Sequence, residues 1–244
     1  PLIYSIDGEW GLAMRLTDAF SYPRQLTLGA SNNDSLIYEM GKNIALQSKA
    51  MGIHINFAPD VDINLNPKNP VIGNRSFGED KERVARLGWN YLKGMEDNGV
   101  YGSVKHFPGH GDTETDSHLA LPTINHTKAF IDSVDSYPFR YAIDRGARMV
   151  MIGHLNIPCL ISDPKLPSSL SKEVITDYLK RDLNFKGIVI TDALTMNGVT
   201  NNYVDGEAEV RALIAGVDIL LMPKDEYKAV SAIIKAIKDG RITV

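Results

Sequence analysis

Short apolar runs rich in β-branched residues alternate along the chain with longer segments in which apolar residues recur every three or four positions. Fully apolar short runs are typical of parallel strands buried on both faces, and the longer period is typical of amphipathic helices. The alternation therefore predicts an α/β fold built on parallel strands. The predicted strands are Leu2–Ile6, Ile53–Ala58, Tyr101–His106, Met149–Ile152, Gly187–Thr191 and Asp218–Met222.

Helix signals fill the intervals between these strands. A first helix, capped by Asn33 or Asp34, carries apolar residues at a spacing of four, which are Leu36, Met40 and Ile44. A last helix over Ala229–Lys238 presents Val230, Ile233, Ile234 and Ile237. Pro138 interrupts a helical pattern, so we expect a kink or two separate pieces there.

Two architectures could hold the six βα units of this pattern. A doubly wound sheet would need a Gly-rich dinucleotide turn after an early strand, and the chain contains no GxGxxG. A (β/α)8 barrel needs eight strands, so its first two strands would have to lie upstream of Pro1. Six polar residues favour the barrel because they fall at or just after strand ends, where barrel enzymes keep their chemistry; they are Asp7, Asp60, Lys105, His106, His154 and Asp192. We therefore expect one catalytic domain over residues 1–244, a TIM barrel truncated at its N-terminus.

Composition excludes several classes of protein. The net charge of −4 comes with no basic stripe, which argues against nucleic acid as a partner. The single cysteine, Cys159, allows neither an internal disulfide nor a Cys-based metal site. No apolar run approaches the roughly 20 residues that span a bilayer. Since the chain does not begin with Met, export stays open, and the sequence does not choose between cytoplasm and periplasm.

The segment from Lys105 to His118 contains the densest collection of reactive side chains. Asp116 and His118 are two residues apart, so in an extended segment they point to the same side. A carboxylate beside an imidazole orients the ring and raises its basicity, which suits a proton donor and acceptor near neutral pH. The alternative is a solvated loop in which Asp116 only caps a turn.

Three further residues are candidates by position. Asp192 directly follows a buried strand, where a carboxylate is costly in free energy unless it is paired or functional. This position predicts that Asp192 is a nucleophile or a base, or alternatively the cap of a helix. Arg75 lies on the loop after the second strand and could bind polar substrate groups. Asp7, at the end of the first strand, could accept hydrogen bonds from vicinal hydroxyls or simply close a turn.

Taken together, these segments resemble glycoside hydrolase family 3, and within it the bacterial β-N-acetylglucosaminidases. The resemblance covers nearly the whole chain, and its most specific part is KHFPGHG followed by DSH at residues 116–118. The other matching segments, in chain order, are Ile6–Gly11, Asn56–Asp62, Arg75–Gly78, Ile190–Met196 and Ala215–Pro223.

The resemblance implies a (β/α)8 barrel and a retaining, two-step mechanism without a cofactor. Asp192 would form a covalent glycosyl intermediate, and His118, held by Asp116, would protonate the leaving oxygen and then activate water. The sugar would be held by Asp7, Arg75, Lys105 and His106. The implied substrate, and the one expected partner, is a small carbohydrate with a terminal β-linked N-acetylglucosamine, as in muropeptide-type cell-wall fragments. Further flanking domains are compatible with this interpretation.

Three alternatives stay open at the level of sequence. A related phosphorylase would use phosphate instead of water in the second step. A metal-dependent hydrolase on the same barrel could take its ligands from the loop and strand ends, namely His106, His110, Asp116, His118 and Asp192. A non-catalytic carbohydrate-binding remnant would bind sugar without turnover.

Overall fold

The strands of the computed structural model all run parallel. The structure describes residues 2–31, 33–114, 121–204 and 206–243. Its strands are β1 (Ser5–Ile6), β2 (Ile55–Asn56), β3 (Tyr101–Gly102), β4 (Val104–Phe107), β5 (Met149–Ile152) and β6 (Ile188–Thr191). The predicted α/β fold with parallel strands is confirmed, with shorter hydrogen-bonded stretches than the apolar runs suggested.

The strands form two ladders that follow one another around the molecule. The first has the order β1-β2-β3 and the second the order β4-β5-β6, every pair being parallel. Only Ser103 separates β3 from β4, and a bridge between Asp60 and Lys105 continues the pairing across the junction. The sixth predicted strand is reduced to a parallel bridge between Ile190 and Ile219.

Helices lie between successive strands. They are α1 (Gln25–Gly29), α2 (Asp34–Ala50), α3 (Lys81–Glu96), α4 (Lys128–Phe130), α5 (Tyr137–Ile143), α6 (Asn197–Thr200), α7 (Glu207–Ala215) and α8 (Glu226–Lys238), with wider π-helical stretches at Ile131–Asp135 and Glu173–Asp182. Asn33 caps α2 by accepting a hydrogen bond from the backbone N–H of Leu36 at 3.4 Å. Pro138 falls in the first turn of α5, so the predicted division into separate pieces is confirmed.

Alternate residues along the strands enter two separate cores. One face packs against the helices and forms the large core, in which Val150 and Ile152 of β5 are buried. Met149 and Met151 of the same strand point to the opposite face. There they meet a small second cluster that contains Ile55, Phe57 and Ile190. Because the strands are covered on both faces, their carboxyl ends are the open places where polar side chains can gather.

Two predicted helix faces are corrected by the structure. Leu36 is exposed, because α2 buries Ile37 and Met40, and neighbouring residues on a helix point about 100° apart. The apolar side of α8 is also exposed at Val230 and Ile234. This helix packs instead through small residues, with Ala229 and Ala236 buried. Within the described segments, no helix is both long and apolar enough to cross a membrane.

Close packing of α2 on α3 depends on two glycines. A Cβ atom at Gly94 would lie 2.2 Å from the carbonyl oxygen of Tyr38, and one at Gly41 would lie 2.3 Å from that of Tyr91. Real side chains do not tolerate such distances, so each glycine lets the other helix's backbone approach.

We expect Gly94→Ala to lower the free energy of unfolding by about 2 kcal/mol or more, since the backbones must separate. Helix propensity alone would predict the opposite, a gain of about 1 kcal/mol. Gly52→Ala is the matched control, because nothing lies within 4 Å of its added Cβ and only its positive φ of 74° is strained. Urea unfolding of both variants would measure the difference. A Gly94→Ala protein as stable as wild type would show that the helices are not held this closely.

Candidate active site

A cavity of about 240 Å³ opens at the carboxyl ends of the strands. It is lined by Asp7, Glu9, Met14, Arg15, Val71, Arg75, Lys105, His106, His110 and Asp192. The structure thus brings together every predicted site residue that it describes, from four separate strand-end segments. Asp116 and His118 lie outside the described residues.

Glu9 is the buried centre of a charge cluster in this cavity. Arg75 forms a two-pronged pair with it, donating from Nε to Oε2 at 3.0 Å and from Nη2 to Oε1 at 2.8 Å. The Lys105 ammonium lies 2.8 Å from the same Oε1. Burial raises the pKa of Glu9, but the charges of Lys105 and Arg75 outweigh burial and hold its pKa well below the ordinary value. Glu9 is therefore ionised and fixes both cations in place.

Asp7 extends this cluster toward the solvent. Its Oδ1 accepts a hydrogen bond from Lys105 at 2.9 Å, and its Oδ2 accepts one from Arg15 at 3.0 Å. Burial raises the pKa of Asp7, yet Lys105 and then Arg15 lower it by more. Since about a third of the Asp7 side chain is exposed, at 35%, its carboxylate remains accessible to a ligand's hydroxyl groups.

A second buried carboxylate, Asp62, organises the loop after β4. Its Oδ2 accepts hydrogen bonds from the backbone N–H of His106 at 3.2 Å and from the ring Nδ1 at 2.7 Å. Its Oδ1 accepts one from the backbone N–H of His110 at 2.7 Å. The Nε2 of His106 lies 3.3 Å from Nη2 of Arg75. Burial lowers the pKa of His106, and the Asp62 carboxylate raises it by more.

Metal binding was one alternative, and the donor atoms fit a cation poorly. In the described part of the chain, one group has metal-ligand spacing: Asp60, Asp62 and His106, with ligand atoms within 4.8 Å of one another. Arg75 already places its guanidinium 3.5 Å from Asp60. Burial and the neighbouring Asp62 carboxylate raise the pKa of Asp60 to about 7. The Asp60 carboxyl is therefore partly protonated near neutral pH. Asp62 and His106 are thus hydrogen-bonded to each other, and the Arg75 guanidinium already supplies a positive charge beside Asp60.

Asp192 projects from the end of β6 into the cavity. Its Oδ1 accepts a hydrogen bond from the backbone N–H of Ala193 at 2.8 Å. Burial raises the pKa of Asp192, but His106, His154 and the Ala193 N–H together hold it below the ordinary value. An ionised carboxylate with a fixed orientation has the properties of a nucleophile.

His154 holds the turn that carries Asp192. Its Nε2 lies 3.0 Å from the carbonyl oxygen of Ala193, and a carbonyl can only accept, so Nε2 bears the proton. Its Nδ1 lies 2.6 Å from the hydroxyl oxygen of Ser169. His154 is therefore a positioning residue at the end of β5.

The sequence placed His154 at a predicted strand end and Glu9 in the segment Ile6–Gly11, but neither residue was assigned a role. Arg15 was missed because it lies on an irregular segment with no strand-end signal. Asp62 was also missed, although the pair of acids directly after β2 was a usable sign of buried carboxylates.

His126 links two carboxylates, one that precedes it in the chain and one that follows it. Its Nε2 lies 2.9 Å from Asp112 and its Nδ1 lies 2.7 Å from Asp135. Burial lowers the pKa of His126, but the two carboxylates raise it above the ordinary value. For the Asp135 carboxyl, burial has the opposite effect and raises the pKa to about 6. We call this group the His126 clamp.

The whole chain, residues 1–244, matches the model of the Glycosyl hydrolase family 3 N terminal domain, and the chain therefore belongs to this family. It is 36% identical over 238 residues to Beta-hexosaminidase A of Pseudoalteromonas piscicida, covering 91% of this chain and 40% of that protein. It is 37% identical over 232 residues to Beta-hexosaminidase of Neisseria meningitidis serogroup C (strain 053442), covering 91% and 62%.

Among solved structures, the glycoside hydrolase family 3 β-N-acetylglucosaminidase from Paenibacillus sp. str. FPU-7 matches with a TM-score of 0.95 at 43% identity, over 100% of this chain and 47% of that one. The chain thus spans between 40% and 62% of the length of these three relatives. The predicted resemblance to this family is confirmed.

The His126 clamp should make stability depend on pH. Both His126 and Asp135 have raised pKa values in the folded state, so protonation stabilises the fold. For His126 this contribution is complete below its unfolded pKa of about 6.5 and is lost as pH rises through the higher folded value. Thermal unfolding of wild type and His126→Gln should therefore differ more at about pH 5.5 than at about pH 9. A difference independent of pH would contradict a titrating clamp.

Proposed function

We propose that the chain forms the catalytic domain of a retaining, exo-acting glycoside hydrolase that releases terminal β-linked N-acetylglucosamine. The observation that supports this proposal most directly is the position of Asp192. Its ionised carboxylate is held in the cavity beside Asp7, Lys105 and Arg75, the cluster that we expect to bind sugar hydroxyls. The relatives named β-hexosaminidase and β-N-acetylglucosaminidase support this choice of sugar. We infer that the parallel strands belong to a (β/α)8 barrel, because they have a separate small core on the face away from the helices.

In the first step, Asp192 attacks the anomeric carbon while His118, oriented by Asp116, protonates the departing oxygen. This gives a covalent glycosyl-enzyme intermediate. In the second step, His118 removes a proton from water, which attacks the same carbon and releases Asp192. The low pKa of Asp192 suits both steps, since a carboxylate that stays ionised is a good nucleophile and a good leaving group.

The charged residues of the cavity position the terminal sugar. Asp7 can accept hydrogen bonds from two neighbouring hydroxyls, while Arg75 and Lys105 donate to hydroxyl or acetamido oxygens, with His106 beside them. Glu9 already holds Arg75 and Lys105, Asp62 holds His106, and Lys105 and Arg15 hold Asp7, so these groups need little reorganisation when the sugar binds. A cavity of about 240 Å³ suits a single terminal sugar unit, which gives exo action. Muropeptide-type fragments are the natural substrates that we propose.

Asp192→Asn tests the nucleophile. We expect hydrolysis of p-nitrophenyl β-N-acetylglucosaminide by the intact protein to fall by about a thousandfold or more, because an amide cannot form the intermediate. The melting temperature should stay close to that of wild type. Near-normal turnover by this variant would remove Asp192 from the mechanism.

The same assay separates the alternatives. Turnover that survives a chelator would exclude an essential exchangeable metal ion. Release of free sugar in phosphate buffer supports hydrolysis, whereas release of sugar phosphate identifies a phosphorylase. Sugar binding without any turnover would identify a binding domain.

His118→Ala tests the acid/base residue, which lies outside the described residues. Aryl leaving groups of low pKa depart without protonation, whereas alkyl or sugar leaving groups need it. We expect kcat/KM to fall far more on a disaccharide than on the p-nitrophenyl substrate. Asp116→Asn should show the same trend more weakly, since it removes only the charge that supports the imidazole. Equal losses on both substrates would contradict an acid role for His118.

A further inference from the structure

Two consecutive serines, Ser168 and Ser169, hold the backbone and the ring of His154. Both serines lie in a short 3-10 turn and are fully buried. The Ser168 hydroxyl donates to the carbonyl oxygen of Gly153 at 2.6 Å and accepts from the backbone N–H of Leu155 at 3.0 Å. The Ser169 hydroxyl oxygen lies 2.6 Å from the ring Nδ1 of His154. The chain is thus fixed on both sides of His154, and the ring is held at its Nδ1 end.

The other end of the His154 ring holds the residue that orients Asp192. The Nε2–H of His154 donates to the carbonyl oxygen of Ala193 at 3.0 Å. The backbone N–H of the same Ala193 donates to Oδ1 of Asp192 at 2.8 Å. Ala193 is therefore held at its carbonyl group, and its N–H has a fixed direction toward the carboxylate. A continuous series of contacts, which we call the Ser169 relay, runs from Ser169 through His154 and Ala193 to Asp192.

Other contacts hold the backbone of this turn independently of the relay. The backbone N–H of Asp192 donates to the carbonyl oxygen of Ile152 at 2.9 Å, and that of Leu194 donates to Leu221 at 2.9 Å. Loss of one relay contact should therefore leave the turn folded. The expected change is a small one, in the direction of the Ala193 N–H and in the position of the carboxylate that it holds.

We propose that Ser169 is a positioning residue for Asp192, which it holds in place through His154 and Ala193. This rests on the proposed function, in which Asp192 is the nucleophile. A displacement of about 1 Å at the reacting atoms can cost a hundredfold in rate, so a partial loss of support should cost less. Ser169 does not belong to the described residues that line the cavity. Its removal should therefore lower kcat on p-nitrophenyl β-N-acetylglucosaminide and leave KM nearly unchanged.

Ser169→Ala tests the proposal, with Ser171→Ala as the matched control. Ser171 is an equally buried serine two residues on, and its hydroxyl oxygen accepts from the backbone N–H of Val174 at 3.3 Å and donates to Glu173 at 2.8 Å. We expect kcat to fall about tenfold for Ser169→Ala, with KM within about twofold of wild type. Ser171→Ala should keep the kcat of wild type. Melting temperatures of both variants show whether each assay is made on folded protein.

A double-mutant cycle with His154→Gln tests whether Ser169 acts through His154. The glutamine amide can still donate to Ala193, but it has no ring nitrogen at the position of Nδ1, so the relay is cut between Ser169 and residue 154. We expect the two single variants and the double variant to lose kcat by about the same factor, because each lacks the same contact. Losses that multiply in the double variant, or a Ser169→Ala variant with the kcat of wild type, would overturn the proposal.

A measurement without turnover separates this proposal from the proposed function. Carbon-13 NMR titration of the Asp192 carboxyl group, identified by its absence in Asp192→Asn, reports how well the carboxylate is held. The Ala193 N–H stabilises the ionised form, so Ser169→Ala should raise the pKa of Asp192 and Ser171→Ala should leave it unchanged. If wild type does not hydrolyse the substrate, the proposed function fails and this titration decides alone. A raised pKa in Ser169→Ala then supports the relay, and an unchanged one overturns it.

Discussion

The Asp62 carboxylate accepts three N–H groups at once, from the backbone and ring of His106 and from the backbone of His110. It follows β2 in the chain, yet it fixes the loop after β4, so it joins two neighbouring units of the fold at the level of the site. Burial raises its pKa, but His106 and the N–H of His110 hold it lower, so it remains ionised. The tautomer of His106, the placement of Arg75 against it and the orientation of His110 all follow from this one group.

The charged groups of the site lie in two different electrostatic environments. Glu9 and Asp7 together offset the charges of Arg75 and Lys105, so these two cations can lie side by side at the cavity. Asp192 has a different environment: one oxygen is held by the Ala193 N–H, and its pKa is lowered by groups that do not bond to it directly. The carboxylate that we propose as the nucleophile is thereby kept ionised, and His154 holds the turn that carries it.

Much of the fold was predictable because buried parallel strands leave a direct sequence signal. Every predicted strand has a counterpart, and the polar residues that follow them converge, as the geometry of parallel strands requires. The role of Glu9 was not predictable from the pattern, since its burial depends on two cations from distant segments. The same holds for His126, whose partners Asp112 and Asp135 flank it in sequence without any periodic pattern. The buried side of α8 was predicted wrongly, because its alanines and not its isoleucines make the contacts with the rest of the fold.

The fixed charges that line the cavity balance. Among the described residues that line the cavity, three cations, Arg15, Arg75 and Lys105, stand against three anions, Asp7, Glu9 and Asp192. These six charges form strong local dipoles and cancel in sum, so the affinity for a neutral sugar, the ligand that we propose, should depend little on ionic strength. A uronic or sialic acid would bring a charge that nothing in this balance is free to offset. The balance of these six charges is thus itself a filter on the charge of a ligand that could enter the cavity.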